Sequence, residues 1–491
     1  MRNFFNLSSF SYLINLFIIR MLKPRELHGK RLLGYSLGDL GLLLPRTFEG
    51  VFIFQFYVYT VNLNSLLVSI GFSAQLIIGA VSAIIFGVIV DNKKPGKYGK
   101  RRPFLLLGLP IWFITTILIW FPPNSPIDNS FYLPTASYFW IIYIIRAISH
   151  ALIYTVYTSM LPEQSQTFKN REKLASFSSF FQISASIIAL MLPLIVQSAL
   201  PDPTSVKWWN PSGEIIQIFI PLIGLSFAIF GLIATILVFI SVDESFYNNN
   251  SIVQSEKIKI IDAFKRLSIP LKDRNYLKLI MAVFFITANA RIVGLLVFPF
   301  QTYVMQFQAA QFYIYILFST FSKFIWYFIW KQIRKKFNIM KTFSACILFA
   351  VCGSIIDIFF LFGELTFELS LILYVVSWSV VLGSMYAFPL FSIPITASLV
   401  HDAANQNSGS SLDIKMSKIS GSYYGLFNFS NTLGPAFASL FIGALLSGNN
   451  EENPIVIIIS FLFIGIFYLL TFLFINRIKL SKTSYYSALN Q

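Results

Sequence analysis

Long apolar segments alternate with short polar connectors along almost the whole chain. Each segment has the roughly 20 residues or more that a helix needs to cross the hydrocarbon core of a bilayer. The alternation therefore predicts an all-α membrane protein with twelve transmembrane helices. We place the spans at 32–61, 65–90, 103–122, 136–161, 175–200, 213–241, 277–306, 309–330, 342–363, 369–400, 419–447 and 454–475.

A hydrophilic stretch at 242–276 is the longest interruption of this pattern and separates six spans from six. Within it, Ile260, Ile261, Phe264 and Leu267 fall on one helical face, which predicts an amphipathic helix on the membrane surface. The predicted divisions are a cytoplasmic or interfacial N-terminal segment (1–31), a first six-helix half (32–241), the central loop (242–276), a second six-helix half (277–475) and a cytoplasmic tail (476–491).

The composition is that of a membrane protein. Hydrophobic residues make up 56% of the chain and charged residues only 12%, with a mean hydropathy of +0.69. Soluble domains average about 25% charged residues, so this chain has too few to cover the surfaces of soluble domains. The two cysteines, Cys346 and Cys352, fall within one predicted span, which excludes a disulfide framework and a paired-cysteine metal site.

The net charge of +16 is explained by topology. Nearly all Lys and Arg residues lie in alternate connectors and at the two ends of the chain, whereas the intervening connectors hold a single one, Lys207. Basic residues concentrate on the cytoplasmic side of membrane proteins. We therefore expect a multi-pass protein of the cell membrane with both termini cytoplasmic and with its basic loops facing anionic lipids. Nucleic acid is excluded as a partner.

The connector after span two carries the densest charge. Asp91 stands at the C-terminal end of that span, where the helix dipole disfavours an anion. Either Arg101 or Arg102, which follow Lys100, or the N-terminus of a facing helix would compensate it. Gly87, on the same face as Asp91, would permit close approach of another helix.

Four motifs spread along the chain resemble those of one transporter family. They are Gly87 to Pro103 with its Gly-Lys-Arg-Arg-Pro run, Leu33–Gly38, Leu161–Glu163 with Arg171–Ser176, and Gly421–Asn428. Together they are similar to the glycoside–pentoside–hexuronide cation symporters, the melibiose-permease-like branch of the major facilitator superfamily. The resemblance implies the twelve-helix major facilitator fold, alternating access, and sugars or glycosides as substrates.

The family's cation site is missing at the matching positions. The family uses two carboxylates on helix two, where this chain has Gly79 and Ala83. The resemblance therefore implies the fold without the sodium site, and either H⁺ or Na⁺ stays open as a coupling ion. Where the family has other substrate-contacting charges, this chain has Leu43, Tyr154 and Thr432, the last beside Asn428 and Asn431.

Spans one, four and seven each carry an arginine near the middle, at Arg46, Arg146 and Arg291. An ionisable group at the bilayer centre costs about 2.5–3.5 kcal/mol, so such residues are functional candidates. In the major facilitator arrangement these helices line the central cavity, where guanidinium groups favour carboxylate or phosphate partners. The pattern favours an anionic substrate such as a uronide or sugar acid, with Tyr154 and Asn428 contacting hydroxyls.

Structural roles compete with this interpretation. Arg46 could neutralise Glu49, three residues away on the same helix, with Asp39 two turns back. Arg146 could reach a carboxylate across the cavity, and Arg291 could donate to backbone carbonyls. Each of these three roles would remove an arginine from substrate binding.

Further candidates carry less weight. His150 is either a proton carrier or a hydrogen-bonded interior histidine. Lys323 in span eight and Asp357 in span nine could pair or line the cavity edge. In an alternating-access protein, the contacts of Asp91 and its neighbours would exist in one state only. We predict a conformational latch made of Gly87, Asp91, Lys100, Arg101 and Arg102, with a loop that only anchors the protein as the alternative.

The sequence predicts neither a cofactor nor an enzyme. Its three histidines have no metal-ligand spacing, and no phosphate-binding glycine loop is present. We therefore expect a monomeric secondary transporter of sugars, glycosides or a related organic anion. Two alternatives stay open: a carrier of lipid, lysolipid or another solute on the same fold, and a transport-inactive sensor.

Overall fold

The computed structural model describes residues 26–94, 96, 99–165, 167–244, 259–307, 311–363, 365–405, 412–448 and 450–480. Within them it contains twelve long α-helices and a short one, α7. Residues 1–25, most of the N-terminal segment predicted as cytoplasmic or interfacial, lie outside these residues. The helices are α1 (Gly29–Gln55), α2 (Ser65–Asn92), α3 (Arg102–Leu118), α4 (Leu133–Gln164), α5 (Phe168–Ser198), α6 (Pro211–Ser241), α7 (Ile260–Leu267), α8 (Arg274–Pro299), α9 (Phe312–Lys336), α10 (Ile339–Ile355), α11 (Phe367–Asn405), α12 (Leu412–Leu445) and α13 (Pro454–Ile475).

Helix packing divides the bundle into two six-helix halves. In the first half α1 packs against α5 and α6, while α2 and α3 pack against α4. In the second half α8 packs against α12 and α13, and α10 against α11 and α13. The halves meet mainly along α2 and α12, with smaller contacts between α1 and α8 and between α5 and α9. The predicted all-α fold in two halves is confirmed.

The first helix of each half ends in the same unusual way. α1 continues into the π-helical turn Phe56–Thr60, and α8 continues into Phe300–Val304. A residue with positive φ follows each turn, Asn62 at 65° and Gln306 at 51°. Because π-helical turns are rare, their recurrence at matching places marks the halves as structural repeats.

The two halves pack closely against each other near one end of the bundle. The terminal face carries the start of α1 at Gly29 and the end of α2 at Asn92, and the far face carries the start of α2 at Ser65. Towards the far face, a β-carbon on Gly443 of α12 would collide with the hydroxyl of Ser69 on α2. Glycine is therefore required at this seam, as in other close helix packings within membranes.

Nine of the described helices are long and apolar enough to cross a membrane. The long helices outside that group are α1, α3 and α12. α3 has only 17 residues, and α1 carries Asp39, Arg46 and Glu49 along its length. Charged residues in a membrane helix face the bundle interior or a water-filled cavity, so α1 fits an interior position.

Several helices extend beyond the apolar spans predicted from the sequence. α11 continues to Asn405, α12 begins at Leu412 and α9 continues to Lys336. Polar residues keep the backbone hydrogen bonds of a helix as well as apolar ones do. Hydropathy therefore detects the membrane-embedded part of a helix and misses its aqueous ends.

The amphipathic helix predicted in the central loop is present as α7. Ile260, Ile261 and Phe264 are exposed, and Leu267 lies against Gly425 of α12. Because α7 also contacts α2, it touches both halves at the terminal face. Its position on a leaflet stays a prediction, and residues 245–258 of the loop lie outside the described part of the chain.

Candidate functional site

A small cavity lies in the first half between α1, α4 and α5. Its volume is about 70 Å³. The fold thus brings together Arg46, His150 and Tyr154, three of the residues predicted for substrate binding. The lining residues are Asp39, Leu42, Leu43, Arg46, His150, Tyr154 and Gln182.

The Arg46 side chain is exposed in this cavity. Among the described residues, none forms a hydrogen bond or ion pair with its guanidinium group. Asp39 shares the cavity and is already engaged, because it accepts hydrogen bonds from the Tyr157 hydroxyl at 2.9 Å and from Nε2 of Gln182 at 3.3 Å. The cavity therefore offers one cation with unused donors and one oriented carboxylate.

Glu49 pairs with Arg146 and not with Arg46. Nη2 of Arg146 lies 2.6 Å from Oε1 of Glu49, and both side chains are almost fully buried. The local partner considered for Glu49 in the sequence was Arg46, one turn away on the same helix. The attraction between Glu49 and Arg146 is strong because opposite charges attract more in a low-dielectric interior, whereas the Arg46 head group reaches the cavity.

His150 and Tyr154 form one wall of the cavity. Their rings stack with centroids 5.7 Å apart and an interplanar angle of 12°. The His150 side chain is buried, and the Tyr154 side chain is exposed. The stack presents the Tyr154 ring as a flat surface next to Arg46.

Arg291 lies at the seam between the halves. Its Nε donates to Oγ of Ser439 at 2.9 Å, its Nη1 donates to the carbonyl of Gly50 at 3.3 Å, and its guanidinium group stands 3.9 Å from the centroid of the Phe72 ring. These contacts join α8 to α1, α2 and α12. The carbonyl contact is the structural role considered for this arginine, and its substrate-binding role stays a prediction.

The remaining candidates of the second half do not reach the cavity. On α12, Asn428 is exposed, Asn431 is partly buried, and Thr432 donates to the Asn428 carbonyl at 3.1 Å. Lys323 and Asp357 are not paired, since Nζ of Lys323 stands 4.4 Å from the centroid of the Tyr386 ring. Asp357 is fully buried.

Contacts with the first half and with Glu244, at the start of the central loop, hold three of the predicted latch residues: Asp91, Arg101 and Arg102. Oδ1 of Asp91 lies 3.4 Å from Nη2 of Arg101. The Nη1 group of Arg101 also donates a hydrogen bond to the Ser159 carbonyl. The backbone N–H groups of Arg101 and Arg102 each donate to the Glu244 carboxylate at 3.1 Å. Compensation of Asp91 by Arg101 matches one of the two expectations. A latch between access states stays a prediction.

Contacts of the other latch residues are fewer. Gly87 makes no close approach, because its nearest neighbour, a methyl group of Thr155, would be 4.0 Å from a β-carbon. The Arg102 guanidinium group lies over the Phe239 ring at 4.1 Å. Lys100 is half-buried.

Glu244 caps α3 from outside that helix, and sequence reasoning missed it. A carboxylate at a helix N-terminus is favoured by both hydrogen bonding and the helix dipole. We expect Glu244→Ala to lower the free energy of unfolding by about 0.5–2 kcal/mol, and Glu244→Gln to lower it less because an acceptor remains. Thermal unfolding in detergent measures both, and an unchanged Ala variant would contradict the capping role.

The far face is closed by hydrogen bonds between the halves. Tyr59 donates to the Glu451 carbonyl at 2.7 Å, and the Ser65 N–H donates to Oε1 of Glu451 at 2.9 Å. Further along the seam, the Ser73 hydroxyl donates to the Ala436 carbonyl at 2.7 Å. Sequence reasoning missed this far-face seal because the partners are hundreds of residues apart.

The far-face seal should respond to pH through Glu451. Burial raises the pKa of Glu451 from 4.5 to about 7, although Lys207 and the Ser65 N–H oppose the shift. The sealed state then binds the proton more tightly than an open state with the ordinary pKa. Protonation of Glu451 therefore stabilises the sealed state fully below about pH 4.5, and this stabilisation is lost as the pH rises through 7. The population of the sealed state relative to the open state falls by up to about tenfold per pH unit.

Maleimide labelling of Ser69→Cys, in a Cys346→Ala/Cys352→Ala background, measures this opening. We expect labelling to rise between pH 5 and pH 8 more steeply than thiol ionisation alone requires, and to keep only the thiol's own pH dependence in Glu451→Gln. Glu452→Gln, an exposed neighbour, serves as the control. A pH profile that is the same in both variants would contradict the assignment.

Comparison with known proteins identifies the family to which this chain belongs. A family model described as "MFS/sugar transport protein" matches residues 34–482. An uncharacterized symporter of Synechocystis is 26% identical over 188 residues, which are 37% of this chain and 33% of the relative. The uncharacterized symporter YjmB of Bacillus subtilis is 23% identical over 195 residues, 40% of each chain. The matched stretches thus span well under half of these relatives.

Solved structures share the fold across almost the whole chain. A D-xylose–proton symporter superposes with a TM-score of 0.63 at 15% identity, covering 91% of this chain and 97% of its own. The nucleoside transporter NupG gives 0.62 at 13% identity, covering 92% and 100%. These likenesses show the fold alone. The family match covers most of the chain and establishes that this multi-pass membrane protein belongs to the MFS/sugar transport protein family of the major facilitator superfamily.

Proposed function

We propose that this protein is a secondary transporter that carries a sugar-like organic anion, such as a uronide or a sugar acid, by alternating access. The observation that carries the proposal is the exposed Arg46 guanidinium group in the cavity of the first half. Glu49, the acid next to it on α1, is already neutralised by Arg146 at 2.6 Å. Arg46 is thus left for a carboxylate of the substrate.

The chemistry of the cavity suits a polyhydroxylated acid. A guanidinium group binds a carboxylate through two parallel hydrogen bonds. Asp39 can accept hydrogen bonds from hydroxyl groups and Gln182 can accept or donate them, while the Tyr154 ring gives an apolar surface for a sugar face. Ligand pockets usually measure about 300–1,000 Å³, so this cavity would form only one side of a substrate site. The second half would supply the other wall, where α12 carries Asn428 and Asn431.

The charge distribution supports a cytoplasmic terminal face, with both chain ends inside the cell. The far face would then be extracellular and sealed, and the structure would represent an inward-facing state. Opening of the far face must break the contacts that Arg291 makes with Gly50 and Phe72. We expect H⁺ or Na⁺ as a coupling ion and a monomer as the working unit.

A thermal-shift titration tests the anion assignment with the purified protein. Glucuronate should stabilise the wild type, whereas glucose at the same concentration should stabilise it less. Arg46→Gln should weaken glucuronate binding by about 10- to 150-fold, the loss of a hydrogen bond to a charged group. Arg31→Gln, an exposed arginine at the start of α1, is the matched control. Equal glucuronate affinity in both variants would overturn the assignment.

A further inference from the structure

One carboxylate inside the second half has no counter-charge. Asp357 is the second residue of the 3₁₀ segment Ile356–Phe362, which continues α10, and none of its surface is exposed. Neither carboxylate oxygen has a hydrogen-bond partner among the described residues. The Ser377 hydroxyl of α11 is a neighbouring hydrogen-bond donor for this carboxyl group, but its geometry falls short of a formed hydrogen bond.

The other membrane-embedded carboxylates described above have partners. Glu49 has Arg146, and Asp39 has two hydrogen-bond donors in the cavity. The cations of the second half are placed elsewhere, with Lys323 over Tyr386 and Arg291 at the seam. Within the described residues, no charged side chain acts on Asp357.

The helices packed against the 3₁₀ segment are α10, α11 and α13. Their fully buried titratable groups are Cys346, Tyr374 and Tyr468, all uncharged at neutral pH. The Tyr374 hydroxyl accepts a hydrogen bond from Gln301 at 2.8 Å, and Tyr468 donates to the Val381 carbonyl at 3.3 Å. None of these groups can neutralise a carboxylate.

An isolated buried carboxylate costs many kcal/mol, so such a group is neutralised in practice. We propose that Asp357 is a binding site for a monovalent cation, a proton or a sodium ion, inside the second half. One carboxylate beside neutral oxygen ligands suits a monovalent ion. Buried hydroxyls without hydrogen-bond partners are available on the adjoining helices, at Ser377 of α11 and Ser460 of α13.

A coupling role for this cation rests on the proposed transport function, whereas binding itself does not. The family's helix-two carboxylates are replaced by Gly79 and Ala83, so symport would need a cation site elsewhere.

Infrared difference spectroscopy of the full chain in nanodiscs tests binding without a substrate. We expect a carboxylic-acid carbonyl band in the wild type that Asp357→Asn removes and that Asp128→Asn, an exposed control, leaves intact. A band unaffected by replacing choline chloride with NaCl assigns a proton, and a band that NaCl abolishes assigns sodium. If NaCl and choline chloride give identical spectra and Asp357→Asn removes no band, the site is overturned.

Transport assays then test coupling in proteoliposomes. Asp357→Asn mimics the neutralised carboxyl group, so substrate exchange should continue while accumulation driven by a pH or Na⁺ gradient falls to equilibrium. Asp357→Glu, which keeps the carboxyl group, should retain gradient-driven accumulation and controls for folding. Full accumulation by Asp357→Asn would overturn coupling through this residue. Absence of any transport by the wild type would instead overturn the proposed function and leave the infrared result standing.

Discussion

Arg146→Gln is expected to lower the free energy of unfolding by about 3–5 kcal/mol, the usual effect of removing one partner of a buried ion pair. The change leaves Glu49 buried without a counter-charge, since the two groups are 2.6 Å apart and shielded from solvent. The double variant Glu49→Gln/Arg146→Gln should recover most of the loss, because two neutral amides can hydrogen-bond to each other. Thermal unfolding of the single and double variants in detergent gives the coupling between the two residues.

Arg46→Gln is the matched control for this experiment. The Arg46 side chain is exposed in the cavity. Its loss should therefore change the free energy of unfolding by no more than about 0.5 kcal/mol. A stability loss in Arg46→Gln equal to that of Arg146→Gln would show that Arg46 is the partner of Glu49. That outcome would remove the free guanidinium group from the cavity.

Gly443→Leu is expected to force the far face open. A β-carbon at this position would collide with the Ser69 side chain across the seam. Overpacking of this kind costs about 1–3 kcal/mol, which corresponds to roughly 5- to 150-fold more of a state in which the two helices separate. Maleimide labelling of Ser69→Cys should rise by that factor.

Gly421→Leu is the control, since nothing lies within 4 Å of a β-carbon at that glycine of the same helix. It should leave the labelling of Ser69→Cys unchanged. Unchanged labelling in Gly443→Leu as well would mean that the contact between α2 and α12 is not the gate.

Fold and topology could be predicted because they depend on the composition of long segments. Twelve apolar runs, one hydrophilic loop and the position of α7 are visible in the sequence, and the structure contains the corresponding helices. The pairing of Asp91 with Arg101 was also within reach, because both belong to one short connector. Local patterns carry this information directly.

Partners across the fold could not be predicted. Glu49 has Arg46 one turn away, and a single sequence gives no reason to prefer Arg146 on another helix. The caps made by Glu244 and Glu451 depend on how distant helix ends meet. Burial of these groups is decided by tertiary packing, which hydropathy does not describe.

One missed feature did leave a signal in the sequence. The π-helical turns begin at Phe56 and Phe300 and carry tyrosines at Tyr59 and Tyr303, with the same spacing in each half. The two tyrosine rings stack at 5.4 Å. An alignment of the two halves would have located this repeat and the far-face seal beside it.

Uptake by proteoliposomes is the most direct test of the central claim, that Arg46 binds the acidic group of a transported sugar-like anion. Radiolabelled glucuronate and glucose would be compared in the wild type, Arg46→Gln and Arg31→Gln. We expect saturable glucuronate uptake by the wild type and by Arg31→Gln, and at least a tenfold loss in Arg46→Gln. Glucose uptake that equals glucuronate uptake and is unaffected by Arg46→Gln would contradict this claim.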